Sequence, residues 1–319
     1  MSIWAPGLNG DAMIDVASAD VVFLSYDEPD ADANFAHLLR LVPRARRIHG
    51  VKGFDAAHRR AGEGAGPDWV VTVDGDNWVT DAGFFGGRLD HAPRDLGQVF
   101  SFSAWNALNG LRYGNGGVKL WPRHILQNLH SHESALRPQA MLDFWTVPFY
   151  LINRGLSEVR VTATPEQAFR AGYREGAKLT LIGGQSSQDA HPDLPLREAL
   201  ALHLGSANLE RLRVWCSVGI DRPNGDWAIF GARLGCVRTA LERASPTEIA
   251  DYAAFAEFWQ ARIWPQFHDP ALRTTESEAL AQRIDSALGL ELPRLSAETS
   301  TAARLMVRGL RSYGSLPPL

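Results

Sequence analysis

Trp69-Val70-Val71-Thr72-Val73-Asp74-Gly75-Asp76-Asn77 is the stretch whose reading decides the fold. Its first five residues are apolar or β-branched, and Gly66-Pro67 stands just before them. That pattern reads as a buried strand. The strand runs straight into two carboxylates separated by one glycine. Towards the N-terminus, Val21–Tyr26 is a similar apolar run closed by Asp27-Glu28-Pro29. Between them, Phe35, Leu38, Leu39 and Val42 recur at helical spacing until Pro43 ends the pattern. Arg46–Gly50 reads as a second short strand. Asp55 caps a second helix over 56–64. Strand, helix, strand, helix, strand predicts a parallel sheet covered by helices. Ligands of such sheets bind at the carboxyl ends of the strands. Asp27, Glu28, Asp74 and Asp76 are therefore expected along one crevice.

The chain has 319 residues, 45% hydrophobic and 21% charged, with a formal net charge of −4. That is the composition of a globular enzyme rather than a disordered chain. No apolar run reaches the roughly 18–20 residues that span a bilayer. The first residues carry neither a basic segment nor an apolar core of a secretory signal. Two cysteines, Cys216 and Cys236, are too few for a disulfide scaffold. A cytoplasmic setting without membrane partners is the expectation. The acidic balance argues against gripping nucleic acid by bulk charge. All but three of the 32 basic residues are Arg; the exceptions are Lys52, Lys119 and Lys178. Because the two side chains are not interchangeable, a retained Lys marks a place for a compact ammonium.

Beyond Asn77 the pattern changes. Val99–Ala104 and Val118–Trp121 read as strands joined through Tyr113-Gly114-Asn115-Gly116-Gly117. Thr164-Pro165-Glu166-Gln167 is a helix start with a capping box, and the helix is expected to reach about Leu181. Residues 197–218 are helical in pattern. Asn224-Gly225 reads as a turn leading into Trp227–Phe230. From 245 onward Tyr252, Phe255, Phe258, Trp259 and Ile263 repeat at helical spacing. The expected organisation is a domain over 18–244 followed by a helical region over 245–319.

Asp74 and Asp76 are hard oxygen donors suited to Mn²⁺ or Mg²⁺. A divalent ion there would neutralise a diphosphate leaving group. With its placement at the end of a third strand, this D-x-D makes the chain resemble the GT-A glycosyltransferases, most strongly over residues 21–79. The likeness extends to a branch, found in phages and their relatives, that accompanies DNA base hypermodification. The resemblance implies an α/β, Rossmann-like GT-A fold and a nucleotide-diphosphate-sugar donor. It implies that Asp27 and Glu28 face the nucleoside and that the Gly50–Gly53 loop, with Lys52, contacts ribose or base. It also implies that Asn115, Gly116 and Gly117 line the sugar and acceptor site. A C-terminal histidine, His203 with His191 as runner-up, is then the third metal ligand. The acceptor suggested by the phage-type branch is the 5-hydroxymethyl group of a modified pyrimidine in DNA.

Other groups complete the expected site. Arg170, Arg174 and Lys178 are spaced four apart, so they form one basic stripe on a helix, suited to a diphosphate or a nucleic-acid backbone. Glu175, with Glu166, is a candidate base beside it. Asp143 lies within an apolar aromatic stretch, where burial would raise its pKa and suit it to general-base work. A dense basic patch, Arg40 to Arg60, is placed to track phosphates. Trp78, Trp105 and Trp121 are candidate rings for stacking on an extruded base. Two other enzyme classes compete: a phosphohydrolase with a D-x-D nucleophile, and a nucleotidyltransferase. The first requires its motif on the first strand. The second lacks an Arg-containing phosphate loop near Val21–Tyr26. A degenerate, non-catalytic binding module is the remaining alternative, and intact Asp74 and Asp76 speak against it.

Overall fold

A computed structural model describes residues 12–91, 97–114, 116–131, 147–182, 185–244 and 251–310. In chain order the first elements are β1 (Ala12–Asp15), β2 (Asp20–Ser25), α1 (Ala31–Leu41), β3 (Arg46–His49) and α2 (Phe54–Glu63). They are followed by β4 (Trp69–Asp74), β5 (Asn77–Val79), β6 (Arg88–His91), β7 (Val99–Asn106), β8 (Arg112–Tyr113), β9 (Val118–Pro122), α3 (Arg123–Gln127) and β10 (Phe149–Val159). The rest is α4 (Pro165–Lys178), β11 (Leu181–Ile182), β12 (Gln185–Ser186), α5 (Ser187–Ala190), α6 (Leu196–Trp215) and α7 (Gly225–Cys236). The last helices are α8 (Tyr252–Phe258), α9 (Trp264–Phe267), α10 (Pro270–Leu288) and α11 (Ala297–Gly309). Short π-helical turns join α7 to its exit and α8 to α9.

The chain divides into two compact units. The first comprises the described residues of Met1–Ala104, Gly114–Leu129 and Val147–Ser157. It is built on a mixed sheet in the order β3-β2-β4-β9-β7-β10-β5. β2 runs parallel to both β3 and β4, and β9 is antiparallel to β4 and β7. The βαβαβ half read from the sequence is therefore present, and the direction reverses at β9. The apolar runs of β2 and β4 are buried on both faces, as strands of a covered sheet must be. Val21, Phe23, Val71 and Val73 pack with Leu38 of α1 and with Phe84, Phe100 and Phe102. A small antiparallel pair, β1 and β6, stands apart from this sheet.

The second unit comprises the described residues of Trp105–Tyr113, His130–Thr146 and Glu158–Leu319. It is mainly helical, and its core is aromatic. Phe169 of α4 meets the rings of Tyr173, Trp227, Phe230, Phe255, Phe258 and Trp259. Helices read as a separate region from 245 onward thus share one core with α4 and α7. The α4–α7 contact has a special geometry. A Cβ on Gly172 or Gly176 would fall 1.9 or 2.1 Å from the carbonyl oxygens of Ala228 and Ala232. A Cβ on Gly231 or Gly235 would fall 2.2 or 2.3 Å from those of Phe169 and Tyr173. Two glycine pairs, each four residues apart, let the two backbones touch.

Two local expectations change. Asn224 adopts a left-handed conformation, φ 55°, as a turn residue should, and helix α7 opens directly after it. Trp227–Phe230 is a short apolar run, and such a run does not distinguish strand from buried helix by periodicity. Helix α4 ends at Lys178 rather than near Leu181, because Leu181 and Ile182 pair with β12. Its N-terminus is capped by Thr164, which accepts from Gln167 N. The Gln167 side chain accepts from Ala163 N, one residue before the cap, so the reciprocal box is not closed. Among the described residues no helix is long and apolar enough to cross a membrane.

Candidate functional site

The acidic groups of the first unit converge. β2 and β4 are neighbours in parallel register, with Leu24 opposite Asp74. Their carboxyl ends therefore carry Asp27-Glu28 and Asp74-Gly75-Asp76 side by side. Asp27 is exposed. Glu28 folds back, its Oε2 accepting from Tyr26 N at 2.7 Å. The same carboxylate lies over Gly75, where a Cβ would come within 2.6 Å of Oε2. Glycine between the two aspartates thus makes room for Glu28. Asn34 of α1 holds the turn by donating to Gly75 O at 2.9 Å.

Asp76 keeps part of its surface open, yet protein closely surrounds its carboxyl. Desolvation first, then the negative charges of Asp74 and Glu28, push its pKa up to about 7. One bond opposes this: Asn77 Nδ2 donates to Asp76 Oδ1 at 2.7 Å. The Asn77 amide is oriented in turn by Ser157 Oγ, which donates to Asn77 Oδ1 at 2.6 Å. Gly117 is tight against the same amide, since a Cβ there would sit 2.0 Å from Asn77 Nδ2. Gly116 lies against β7, its N–H donating to Phe102 O at 2.8 Å. Both glycines therefore have an internal packing reason for their size.

A residue outside the expected set stands inside the cluster. Lys119 of β9 is 2% exposed, and its Nζ lies 3.3 Å from Asp74 Oδ2. Beneath it is His58 of α2, also buried, stacked on Phe54 and edge-on to Trp121. Burial pulls the His58 pKa down to about 4; Asp74 opposes the shift and Lys119 adds to it. The imidazole is therefore neutral, with Nδ1 donating to Phe54 O at 2.9 Å. The signal for Lys119 was in the composition, a lysine retained where arginine is the rule. No sequence signal marked His58, Asn34, Asn77 or Ser157, because burial and contact across the sheet give them their roles.

The remaining expected residues are spread over both units. Lys52 is exposed in the β3–α2 loop of the first unit. Arg170, Arg174, Glu175 and Lys178 lie on α4 of the second unit. Arg170 and Arg174 stack over the Tyr252 ring at 4.8 and 5.9 Å. Lys178 is 3.8 Å from Glu175, and Glu175 accepts from the Tyr113 hydroxyl at 3.3 Å. The stripe is thus real as a helix face and engaged within its own unit. His203 falls in α6, but its side chain lies outside the described residues, as do Asn115 and Asp143. His191 caps the short α5.

The tryptophans correct an expectation. Trp121 is 1% exposed and donates to Thr72 Oγ1 at 2.8 Å, so it is core and has no free face for a base. Trp78 stacks on His37 with ring centroids 3.7 Å apart, and Trp105 lies between Arg112 and Arg308. Much of the basic patch is also structural. Arg44 donates to Val16 O, Ala19 O and Phe85 O, and Arg59 to Leu129 O.

Among the described residues no group of three or more His, Cys, Asp and Glu side chains has the arrangement of a metal site. The donor set nevertheless suits a small hard cation. Mg²⁺ commonly takes only one or two carboxylates and completes its shell with water and substrate phosphates. A carboxyl raised to about 7 by burial and then by its acidic neighbours is one that an added positive charge would return to the ionised form. No family model matches the chain, and no curated protein or solved structure matches it.

Proposed function

We propose that the chain is a glycosyltransferase of the D-x-D kind, moving a sugar from a nucleotide-diphosphate donor to a hydroxyl acceptor. The supporting observation is the gathering of Glu28, Asp74 and Asp76 at the adjoining carboxyl ends of β2 and β4. In this reading Asp74 and Asp76 hold Mn²⁺ or Mg²⁺, which supplies charge neutralisation to the diphosphate. Lys119 fixes the Asp74 carboxylate and adds a positive charge at the floor of the site. Asn77, oriented by Ser157, fixes Asp76. Asp27 and Glu28 meet the nucleoside, together with the Gly50–Gly53 loop. The transfer breaks the bond from the anomeric carbon to the diphosphate oxygen and forms one to the acceptor oxygen, whose proton passes to a base.

The acceptor proposed is the hydroxyl of a 5-hydroxymethylpyrimidine in DNA, and the setting the cytoplasm. The test is to incubate the full chain with Mn²⁺, a panel of nucleotide-sugars, and DNA with or without 5-hydroxymethylcytosine. Release of free nucleoside diphosphate, lost in Asp76→Asn and in EDTA, supports the transferase. Label appearing only on modified DNA supports the acceptor. Transfer to a glycan or small alcohol alone overturns the acceptor and keeps the transferase. Release of inorganic phosphate from phosphate esters, with no nucleoside diphosphate, moves the site to the phosphohydrolase class.

A further inference from the structure

We infer that the groove along the open edge of β3 binds a phosphate-bearing small molecule, at a place separate from the acidic cluster. β3 ends the sheet on this side, with β2 as its partner. Beside it lies a cavity of about 570 Å³, lined by Arg46, Arg47, Ile48, His49, Val51 and Arg60, together with Glu63 and Gly64 at the end of α2. That volume is in the range of small-molecule sites, roughly 300–1,000 Å³, and well beyond what a bare phosphate fills.

The lining is built for an anion with an organic body. Arg46 and Arg47 point to opposite faces of β3. Arg47 is engaged by Asp32 Oδ1 at 2.6 Å and by Ser25 Oγ, so Arg46 and Arg60 are the guanidinium groups offered to a ligand. One terminal nitrogen of Arg46 donates to Ala61 O at 2.8 Å, and among the described residues the guanidinium has no carboxylate partner. Residue 64 is glycine, and a Cβ there would stand 3.3 Å from Arg46 Nη1, so the absent side chain leaves the fork uncovered. Arg60 is 70% exposed and only loosely paired, 3.8 Å from Glu63. Guanidinium forks match phosphate oxygens two bonds at a time.

His49 is oriented for the same purpose. Arg47 Nη2 donates to His49 Nδ1 at 3.2 Å, and Ser25 Oγ, which accepts from Arg47 Nε at 2.8 Å, sits 3.0 Å from the same nitrogen. Since Arg47 is only a donor, Nδ1 accepts and the proton rests on Nε2. That leaves an N–H donor at the carboxyl end of the strand. Ile48 and Val51 supply the apolar surface for the rest of the ligand. A nucleoside or sugar phosphate has this chemistry, and so does a phosphate of a polynucleotide.

None of the lining residues belongs to the Glu28–Asp74–Asp76 cluster, although Val51 lies in the Gly50–Gly53 loop assigned above to the nucleoside. The experiment is calorimetric titration of the full chain at low salt with uridine 5′-monophosphate, glucose 1-phosphate, their unphosphorylated forms and a short DNA duplex. Saturable binding of a phosphorylated probe, at least tenfold tighter than of its unphosphorylated form, is expected. Arg60→Glu should weaken it by tenfold or more, and Arg46→Lys, which keeps the charge but removes the fork, by a smaller factor. Arg262→Glu, the same charge change in the other unit, should leave it unchanged. Binding of the small esters places a metabolite in the groove and supports the proposal; binding of DNA alone overturns it and assigns the groove to a polynucleotide backbone. No saturable binding of any phosphorylated probe, or equal losses in Arg60→Glu and Arg262→Glu, would overturn the inference. The arginines would then serve only to guard a sheet edge against pairing.

Discussion

Lys119 Nζ lies 3.3 Å from Asp74 Oδ2, joining two neighbouring antiparallel strands of the same sheet. The lysine is 2% exposed and the Asp74 side chain about a third exposed, at 34%. A fixed positive charge therefore sits beneath a carboxylate that faces outward. Three acidic groups can be crowded at two adjoining strand ends partly because this ammonium offsets them from below. One side of the cluster is compensated by the protein itself, and the open side is where a cation from solution adds most.

Replacing Lys119 removes that compensation. Lys119→Met preserves length and apolar volume but leaves Asp74 beside Asp76 and Glu28 with no built-in counter-charge. Breaking a buried pair costs about 3–5 kcal/mol, and the exposure of Asp74 reduces this to about 1–3 kcal/mol. Urea unfolding at neutral pH measures it. Mn²⁺ should raise the melting temperature of the variant more than that of the wild type; an equal shift in both would show that Lys119 does not share the cluster's charge.

Asp76 and His58 give the protein opposing pH dependences. The folded Asp76 holds its proton up to about pH 7, whereas an unfolded Asp releases it near 3.8. The native state binds the extra proton in that window, so this group's contribution falls as pH rises from about 4 to 7. His58 is the reverse: its folded pKa of about 4 lies below the unfolded 6.5, so stability falls as pH drops through that range. In Asp76→Asn the first contribution disappears. The stability of the variant minus that of the wild type, measured without metal, should therefore climb from pH 4 to 7 by up to about 1.4 kcal/mol per pH unit and level off above. A flat difference would show that Asp76 ionises normally.

Ser157 acts on Asp76 through Asn77. It is fully buried, and its hydroxyl donates to the Asn77 carbonyl. Ser157→Ala leaves that oxygen buried without its donor, costing about 1–3 kcal/mol. Freed from this anchor, the Asn77 amide no longer holds the Asp76 carboxylate in one orientation. Mn²⁺ affinity measured by calorimetry should fall in the same variant. An unchanged affinity would confine Ser157 to stability.

The α4–α7 contact predicts a steep cost for a single methyl group. Gly172→Ala puts a Cβ where Ala228 O already stands, 1.9 Å away. Relief requires the two helices to separate, at about 2–4 kcal/mol. Thermal unfolding should show it, and the nucleotide-sugar chemistry proposed for the first unit should survive at temperatures where the variant stays folded.

The sequence alone determined the parallel half of the sheet. Val21–Tyr26, Arg46–Gly50 and Trp69–Val73 were legible because strands buried on both faces are written as continuous apolar runs, and Pro43 and Gly66-Pro67 punctuate them. It also determined that acidic residues stand at the strand ends, since Asp27 and Asp74 come directly where the apolar runs stop. Only the tertiary structure decided what those acids do to one another. Glu28 and Gly75 are far apart in the chain and meet because β2 and β4 are neighbours. Lys119 reaches Asp74 because β9 runs antiparallel beside β4, and Ser157 reaches Asn77 from β10. The same limit explains Trp227–Phe230, whose apolar run suits a strand or a buried helix equally. The glycines at 172, 176, 231 and 235 were in plain view, but each pair has meaning only against its partner helix. Trp121 shows the converse, since its ring suits a binding face or a core equally well. Local pattern fixes local conformation through sterics and periodic burial. Charge compensation, pKa and close backbone approach are properties of pairs, and the fold chooses the pairs.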